Sequence, residues 1–311
     1  AIQDDESFLY LNAVQGLAQM AMSWRDAVLR PLMAMYVGGD KTQDGMSHAL
    51  SYGQELTQRE TDQRLRIGEA ILQVLQHLGE AVVSELDRIV PPLLTAVRNP
   101  LFSATLRSSF ISILGTCVEI APTALAADRS SVHMVHMCTE LIQATTESRA
   151  IRHRSRVRAS VQGVGAGGEV TERALDEEDE EEAMWQREAT SGTDRDVHRP
   201  QLRRAALLLL LMLLRATQEQ LDDYRESCER DLDHIDAPLS ALRLPGGGVL
   251  PDVHDRAKPT LPPLLVPVDV LGSVMPVVTY MAQEEADNVV RVQAQDCIDH
   301  IRLVELAYIG L

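Results

Sequence analysis

The stretch RRAALLLLLMLLR, residues 203–215, decides the fold, because its ten uninterrupted apolar residues, 205–214, belong either in a membrane or inside a protein. A bilayer core about 30 Å thick needs about 20 apolar residues, and a run of about 10–14 is more commonly a buried core helix. Extension upstream meets Arg203 and Arg204, and extension downstream meets Arg215, Gln218 and Glu219, so no register spans a bilayer without several charged or polar residues. A helix apolar on every side must be covered on every side, as an inner helix between neighbouring repeats is. The stretch therefore predicts an interior helix and no transmembrane segment, with Arg203, Arg204 and Arg215 projecting from its ends.

Composition points the same way. A chain of 311 residues, 45% hydrophobic, can bury a substantial core as one large or two ordinary domains. Only 4% is aromatic, and strands favour aromatic and β-branched residues, so a leucine- and alanine-rich chain leans to helix and to an all-α fold. The net charge of −17 disfavours nucleic acid as a partner, since that binding rests on Lys and Arg neutralising phosphates. Residues 172–182 carry −7 of that charge, leaving −10 on the rest. Lys41 and Lys258 are the sole lysines, a bias to which no function is attached. Cys117, Cys138, Cys228 and Cys297 are scattered without a CxxC pair, which suits reduced thiols in cytosol or nucleus and excludes a zinc ribbon. Ala1 is followed closely by acids rather than by a basic-then-apolar leader, so the chain reads as a piece of a longer protein without a signal peptide.

Helical periodicity recurs outward from the leucine run. In SFLYLNAVQGLAQMAM, Phe8, Leu11, Val14, Ala18 and Met22 share one helical face, with Ser7 as cap, and residues 24–37 repeat the stripe until Gly38-Gly39. After a polar loop at 40–54, RLRIGEAILQVLQHLGE places Ile67, Ile71, Val74, Leu75 and Leu78 on a stripe, and Leu86, Ile89, Leu93 and Val97 form a partner face in which Pro91-Pro92 must kink the helix or open it. Leu106, Phe110, Ile113, Leu114 and Cys117 resume the period up to Pro122, and residues 131–145 return. Three hairpins within a block at 1–148 approach the spacing of about 40–47 residues of HEAT or armadillo repeats. Residues 149–200 cannot bury a core and read as a disordered basic-then-acidic linker. A second block at 201–311 holds helices at 201–234, 268–283 and 287–306 around a Pro/Gly-rich loop at 238–263, and Pro276 kinks the first of its two closing helices. An aliphatic-Arg phrase opens four helices, at Arg66, Arg107, Arg203 and Arg291. The fold class predicted is an all-α solenoid of HEAT/armadillo-like hairpins.

Chemistry-bearing motifs are sparse. His133-x-x-His136-x-Cys138 puts two imidazoles on adjacent turns, a spacing that can hold zinc, but no third or fourth ligand stands nearby and surface histidines are the simpler reading. GVGAGG, residues 163–168, lacks the strand and helix that flank a phosphate loop and reads as linker. No nucleophile elbow, HExxH or P-loop is present, so neither catalysis nor a metal or cofactor is expected. Two charged tracts remain as candidate interaction residues. Asp176, Glu177, Glu178, Asp179, Glu180, Glu181 and Glu182 form either a solvated linker or an acidic arm for a basic partner. Arg152, Arg154, Arg156 and Arg158 form a basic patch, solvated or a nuclear-import signal, although such signals more often contain lysine.

Five passages carry a family resemblance: SFLYLNAVQGLAQMA, RLRIGEAILQVLQHLGE, PLFSATLRSSFISILGTCVEI, LRRAALLLLLMLLR and DNVVRVQAQDCIDHI. Together the sequence resembles the C-terminal region of the RNA polymerase II assembly and nuclear-import factors, whose animal members are called transport and Golgi organisation protein six. The first passage is the most specific. The family's two C-terminal blocks are similar to residues 5–120 and 201–303, and the acidic linker and Pro/Gly loop depart from its pattern. The resemblance implies a non-enzymatic solenoid that binds polymerase subunits, assembly chaperones and transport machinery, works in the cytoplasm and shuttles to the nucleus. It also implies the alternative of a Golgi or secretory-pathway trafficking adaptor.

Overall fold

The computed structural model describes residues 7–38, 56–143, 200–233 and 261–310. Among them the regular structure is helical, without a strand. Helix α1 (Ser7–Ser23) is followed by α2 (Arg25–Met33), which runs into a π-helical turn at Ala34–Gly38. Helix α3 (Gln58–Leu78) starts at Thr57, whose hydroxyl accepts from the Glu60 amide while the Glu60 carboxylate accepts from the Thr57 amide, a reciprocal cap that satisfies two terminal donors. A 3₁₀ segment, Gly79–Glu85, leads into α4 (Leu86–Arg98). Then come α5 (Ala104–Ile120), the single turn and a half of α6 (Pro122–Ala127) and α7 (130–143). After the undescribed 144–199 stand α8 (Pro200–Asp233), α9 (Val268–Glu284) and α10 (Asn288–Ile309). Pro91 and Pro92 lie inside α4 and Pro276 inside α9, rather than at a first turn.

The packing order follows the chain with a skip. Helix α1 packs on α3, α3 on α5, α5 on α8 and α8 on α10, while α2 lies against α1 and α3, α4 against α5, and α9 against α10. Stacked helices α8 and α10 run in the same direction: Arg204 meets Asp287 near their starts, and Arg215 Nε lies 3.4 Å from His300 Nε2 farther along. One continuous apolar core extends from Ala18 to Val304, so the helices before residue 144 and those after 199 share it. Gly115 makes the α5–α8 contact close, because a Cβ there would sit 3.1 Å from the Met212 Cε.

The leucine run lies in the first half of α8, with Leu207, Leu209, Leu210, Leu211, Leu213 and Leu214 all buried. Burial is nevertheless incomplete around the helix, since Leu208 is 49% exposed on the side that neither α5 nor α10 covers. No helix among the described residues is long and apolar enough to cross a membrane.

The expectation that the arginines project from the ends of this helix fails at Arg203. Its side chain is buried, and Nη1 lies 2.9 Å from Oε2 of Glu285, itself only 3% exposed. The other oxygen of Glu285 accepts from the Ala286 and Asp287 amides at 3.0 and 3.3 Å. Arg204 pairs with Asp287, which also caps α10 by accepting from the Val289 and Val290 amides. The Arg204 hydrogen bond, followed by the Val290 amide, holds the Asp287 carboxyl below its usual range. The first turn of α8 thus grips the corner between α9 and α10. The four aliphatic-Arg phrases do not share this role: Arg107 is buried and donates to the Val97 carbonyl at 2.7 Å, near the end of α4, whereas Arg291 is exposed and reaches Asn288 in its own helix.

A second correction concerns α1. Val14, Ala18 and Ala21 are its buried face, while Leu11 is 60% and Met22 51% exposed; the side chain of Phe8 is outside the described set. The helix is apolar on most of its circumference, yet among the described residues it packs mainly on α2 and α3, so periodicity alone does not select the covered side.

Two stability measurements follow. Leu210→Ala removes a fully buried side chain between the two halves of the core, and urea denaturation should show a loss of about 2–5 kcal/mol. Glu285→Ala takes away the carboxylate that the buried Arg203 meets and should cost about 3–5 kcal/mol, whereas the double variant Arg203→Met/Glu285→Leu should recover most of that loss.

Candidate interaction surfaces

An aromatic seat joins the turn after α2 to α3 and α5. The π turn after α2 drives Tyr36 into the core, where its ring meets Phe110 of α5 edge-on at 4.7 Å and its hydroxyl lies 2.6 Å from Ser109 Oγ. Phe102 extends the cluster, 5.5 Å from Phe110, and the Arg64 guanidinium of α3 lies 5.5 Å over the Phe102 ring while donating to the Tyr36 carbonyl at 3.1 Å. Burial raises the Tyr36 phenol well above its usual range and lowers Arg64 from its own. Tyr36 crosses α3 at Gly68, where a Cβ would come within 2.7 Å of its hydroxyl oxygen and 2.8 Å of its ring. Gly38, at φ +81°, ends the turn against the Arg64 guanidinium.

Two grooves result. The first, ≈ 380 Å³, runs between α2 and α4 over Leu29, Met33, Val37, Ile89 and Pro92. Its rim is a ladder of alternating charge: Glu85 meets Arg88, Arg88 meets Asp26, and Asp26 meets Arg30 at 3.0 Å. The two pairs at Asp26 are largely exposed and contribute little stability, about 0–1 kcal/mol each. The second, ≈ 470 Å³, lies between α1 and α3, with Val14 and Ala18 as floor and Gln15, Gln19, Gln73, Gln76 and His77 around it. Near the start of α1, Tyr10 joins the two helices through a 3.0 Å hydrogen bond to Glu69 Oε2, its hydroxyl also 3.1 Å from the Arg66 carbonyl. Burial first, then the Glu69 hydrogen bond, pushes its pKa up to about 12, so the phenol stays a donor at neutral pH.

The residues singled out in the sequence fall elsewhere. Arg152, Arg154, Arg156 and Arg158, and the acidic run Asp176, Glu177, Glu178, Asp179, Glu180, Glu181 and Glu182, lie outside the described residues, as does GVGAGG. His133 and His136 are exposed on α7, whereas Cys138 is fully buried on another face of that helix, so the three do not converge. Among the described residues no group of three or more His, Cys, Asp or Glu is arranged to hold a metal ion. Burial raises the thiols of Cys117 and Cys297 to about 12 and that of Cys138 beyond, so all three stay protonated core residues. Sequence inspection missed both grooves, although the pairs Gln15/Gln19 and Gln73/Gln76, at helical spacings of four and three, were a readable signal for the second.

The segment that builds α1, α2 and α3, and with them Tyr36, Arg64 and Gly68 of the aromatic seat, also carries the comparison that matters. Residues 1–81 match the family described as "Required for nuclear transport of RNA pol II C-terminus 1". It is the family the sequence resembles. The matched segment contains every residue lining the α1–α3 cleft and the α2 side of the other groove. No solved structure matches the chain.

The seat is testable on its own. Gly68→Ala forces Tyr36 out of contact with α3 and should cost about 1–3 kcal/mol in thermal or urea unfolding. In a Tyr36→Leu background, which removes the obstructing ring, the added penalty of Gly68→Ala should fall below about 1 kcal/mol, as coupling between residues in contact requires.

Proposed function

We propose that this chain is a non-enzymatic scaffold of HEAT/armadillo-like repeats that acts in the assembly and nuclear import of RNA polymerase II. The match over residues 1–81 to a family named for nuclear transport of RNA polymerase II carries the reading. The order of packing supports the repeat architecture, since alternate helices α1, α3, α5, α8 and α10 stack in sequence while α2, α4 and α9 lie against them. Stacked helices that run in one direction, as α8 and α10 do, need a returning segment, and the chain through α9 runs back from Val266 beside Thr217 to Glu285 beside Arg203.

Such a stack presents long grooves between neighbouring helices, and both grooves here are suited to binding rather than to chemistry. One has an apolar floor under arginines and carboxylates already closed on one another, and the other is walled by neutral amides. Neither joins a nucleophile to a base. On this reading the partners are polymerase subunits, assembly chaperones and transport machinery, and the protein works in the cytoplasm and travels to the nucleus.

Affinity capture with the full tagged chain from cell lysate tests it. Recovery of RNA polymerase II subunits is the expected result. Recovery of coat or Golgi proteins without any polymerase subunit would overturn it in favour of a trafficking adaptor.

A further inference from the structure

We infer that the α1–α3 cleft is a docking site for an extended, uncharged peptide segment, held through its main chain by the carboxamides of Gln15, Gln19, Gln73 and Gln76. The inference rests on the scaffold reading only for the identity of the protein that supplies the peptide.

The chemistry of the lining is unusual for this chain. In a protein of net charge −17, the cleft is bounded by two aliphatic residues, four glutamines and a histidine, with no carboxylate, lysine or arginine among them. A cationic peptide finds no counter-charge there, and an anionic one finds none either. Each carboxamide offers a donor and an acceptor, the same pair of groups that an extended main chain presents at every residue. None of the four glutamines spends its amide on a hydrogen bond elsewhere among the described residues.

Spacing matches as well. Gln15 and Gln19 are four residues apart on α1, a rise of about 6 Å, and Gln73 and Gln76 on α3 are three apart, a rise of about 4.5 Å. An extended peptide repeats every two residues, about 6.6 Å, so carboxamides on successive turns of α1 meet peptide groups that point the same way along the strand. Leu11, Gln15, Ala18, Gln19 and Met22 share one face of α1, and the exposed Leu11 and Met22 flank the amides as apolar rests for peptide side chains. From Leu11 to Met22 the helix rises about 16 Å, the length of roughly five extended residues.

The test uses a phage-displayed random heptapeptide library selected on the full chain, followed by fluorescence anisotropy with one enriched synthetic peptide. The expected result is enrichment of uncharged, non-helical sequences whose affinity falls at least about tenfold in the variant Gln15→Ala/Gln19→Ala/Gln73→Ala/Gln76→Ala, as loss of several hydrogen bonds requires. All four residues are exposed, so circular dichroism and Tm should be unchanged in that variant. Arg88→Ala, on the rim of the other groove, should leave the affinity as it was. Failure to enrich any sequence, enrichment of charged or amphipathic helical peptides, or equal affinity for the glutamine variant would each overturn the cleft assignment. Polymerase capture is read separately: its persistence in any of those cases would leave the scaffold reading standing, and its absence beside a glutamine-dependent peptide would remove that reading while leaving the cleft.

Discussion

Burial of α8 between α5 and α10 is the constraint on which the rest of the structure depends. Ordering a helix costs backbone and side-chain entropy, and an isolated helix recovers little of it in water. Helix α8 recovers it by placing leucines on both flanks, against Gly115 and its neighbours on α5 and against Cys297 and its neighbours on α10. Without that helix the residues before 144 and those after 199 would have separate, smaller cores, each burying a lower fraction of its surface.

Apolar contact fixes proximity but leaves helices free to slide and rotate, and polar groups remove that freedom at both ends of the contact. At the start of α8, Arg203 and Arg204 meet the two carboxylates of the α9–α10 corner, and Glu285 is simultaneously tied to backbone amides. Farther along, Thr217 donates to the Leu213 carbonyl at 2.7 Å and accepts from the Val266 amide, while Gln220 accepts from the Leu265 amide, so the extended residues entering α9 are strapped to α8. A buried ion pair adds little net stability against an apolar replacement, but it penalises every register in which its members fail to meet. Tyr36 does the corresponding work among α2, α3 and α5, through shape at Gly68, its hydroxyl's hydrogen bond with Ser109 and the Arg64 hydrogen bond to its carbonyl.

The helical class and most element positions were legible because the relevant signals are local. Apolar periodicity, the Gly38-Gly39 pair after α2 and Pro122 after α5 each act within a turn or two. The Thr57-to-Glu60 capping box was equally local and was passed over within a polar run. What escaped the sequence depends on distant partners. Nothing near Arg203 indicates that Glu285, more than 80 positions away, will meet it in the core, and a terminal arginine beside a leucine run reads more naturally as a solvated end. The face of α1 differs from the expected one for a related reason: when apolar residues surround a helix, only the neighbours decide which are covered, and Leu11 and Met22 fall on a side that no described residue covers well.

That exposed side is also where the candidate site arises. A helix in a stack has two kinds of surface to satisfy, the seam against its neighbours and the strip left between seams, and selection for packing acts only on the first. Along α1 and α3 the seam is aliphatic, with Val14, Ala18, Ile71 and Val74 buried, and the strip is amide and apolar rather than the mixed charge that dominates the rest of this acidic chain. A solvated strip needs only to remain soluble, for which charge is the more effective means. Neutral amides repeated along parallel rows do less for solubility and more for a main chain lying between them, and it is the absence of charge from this strip, not the presence of any one residue, that sets it apart.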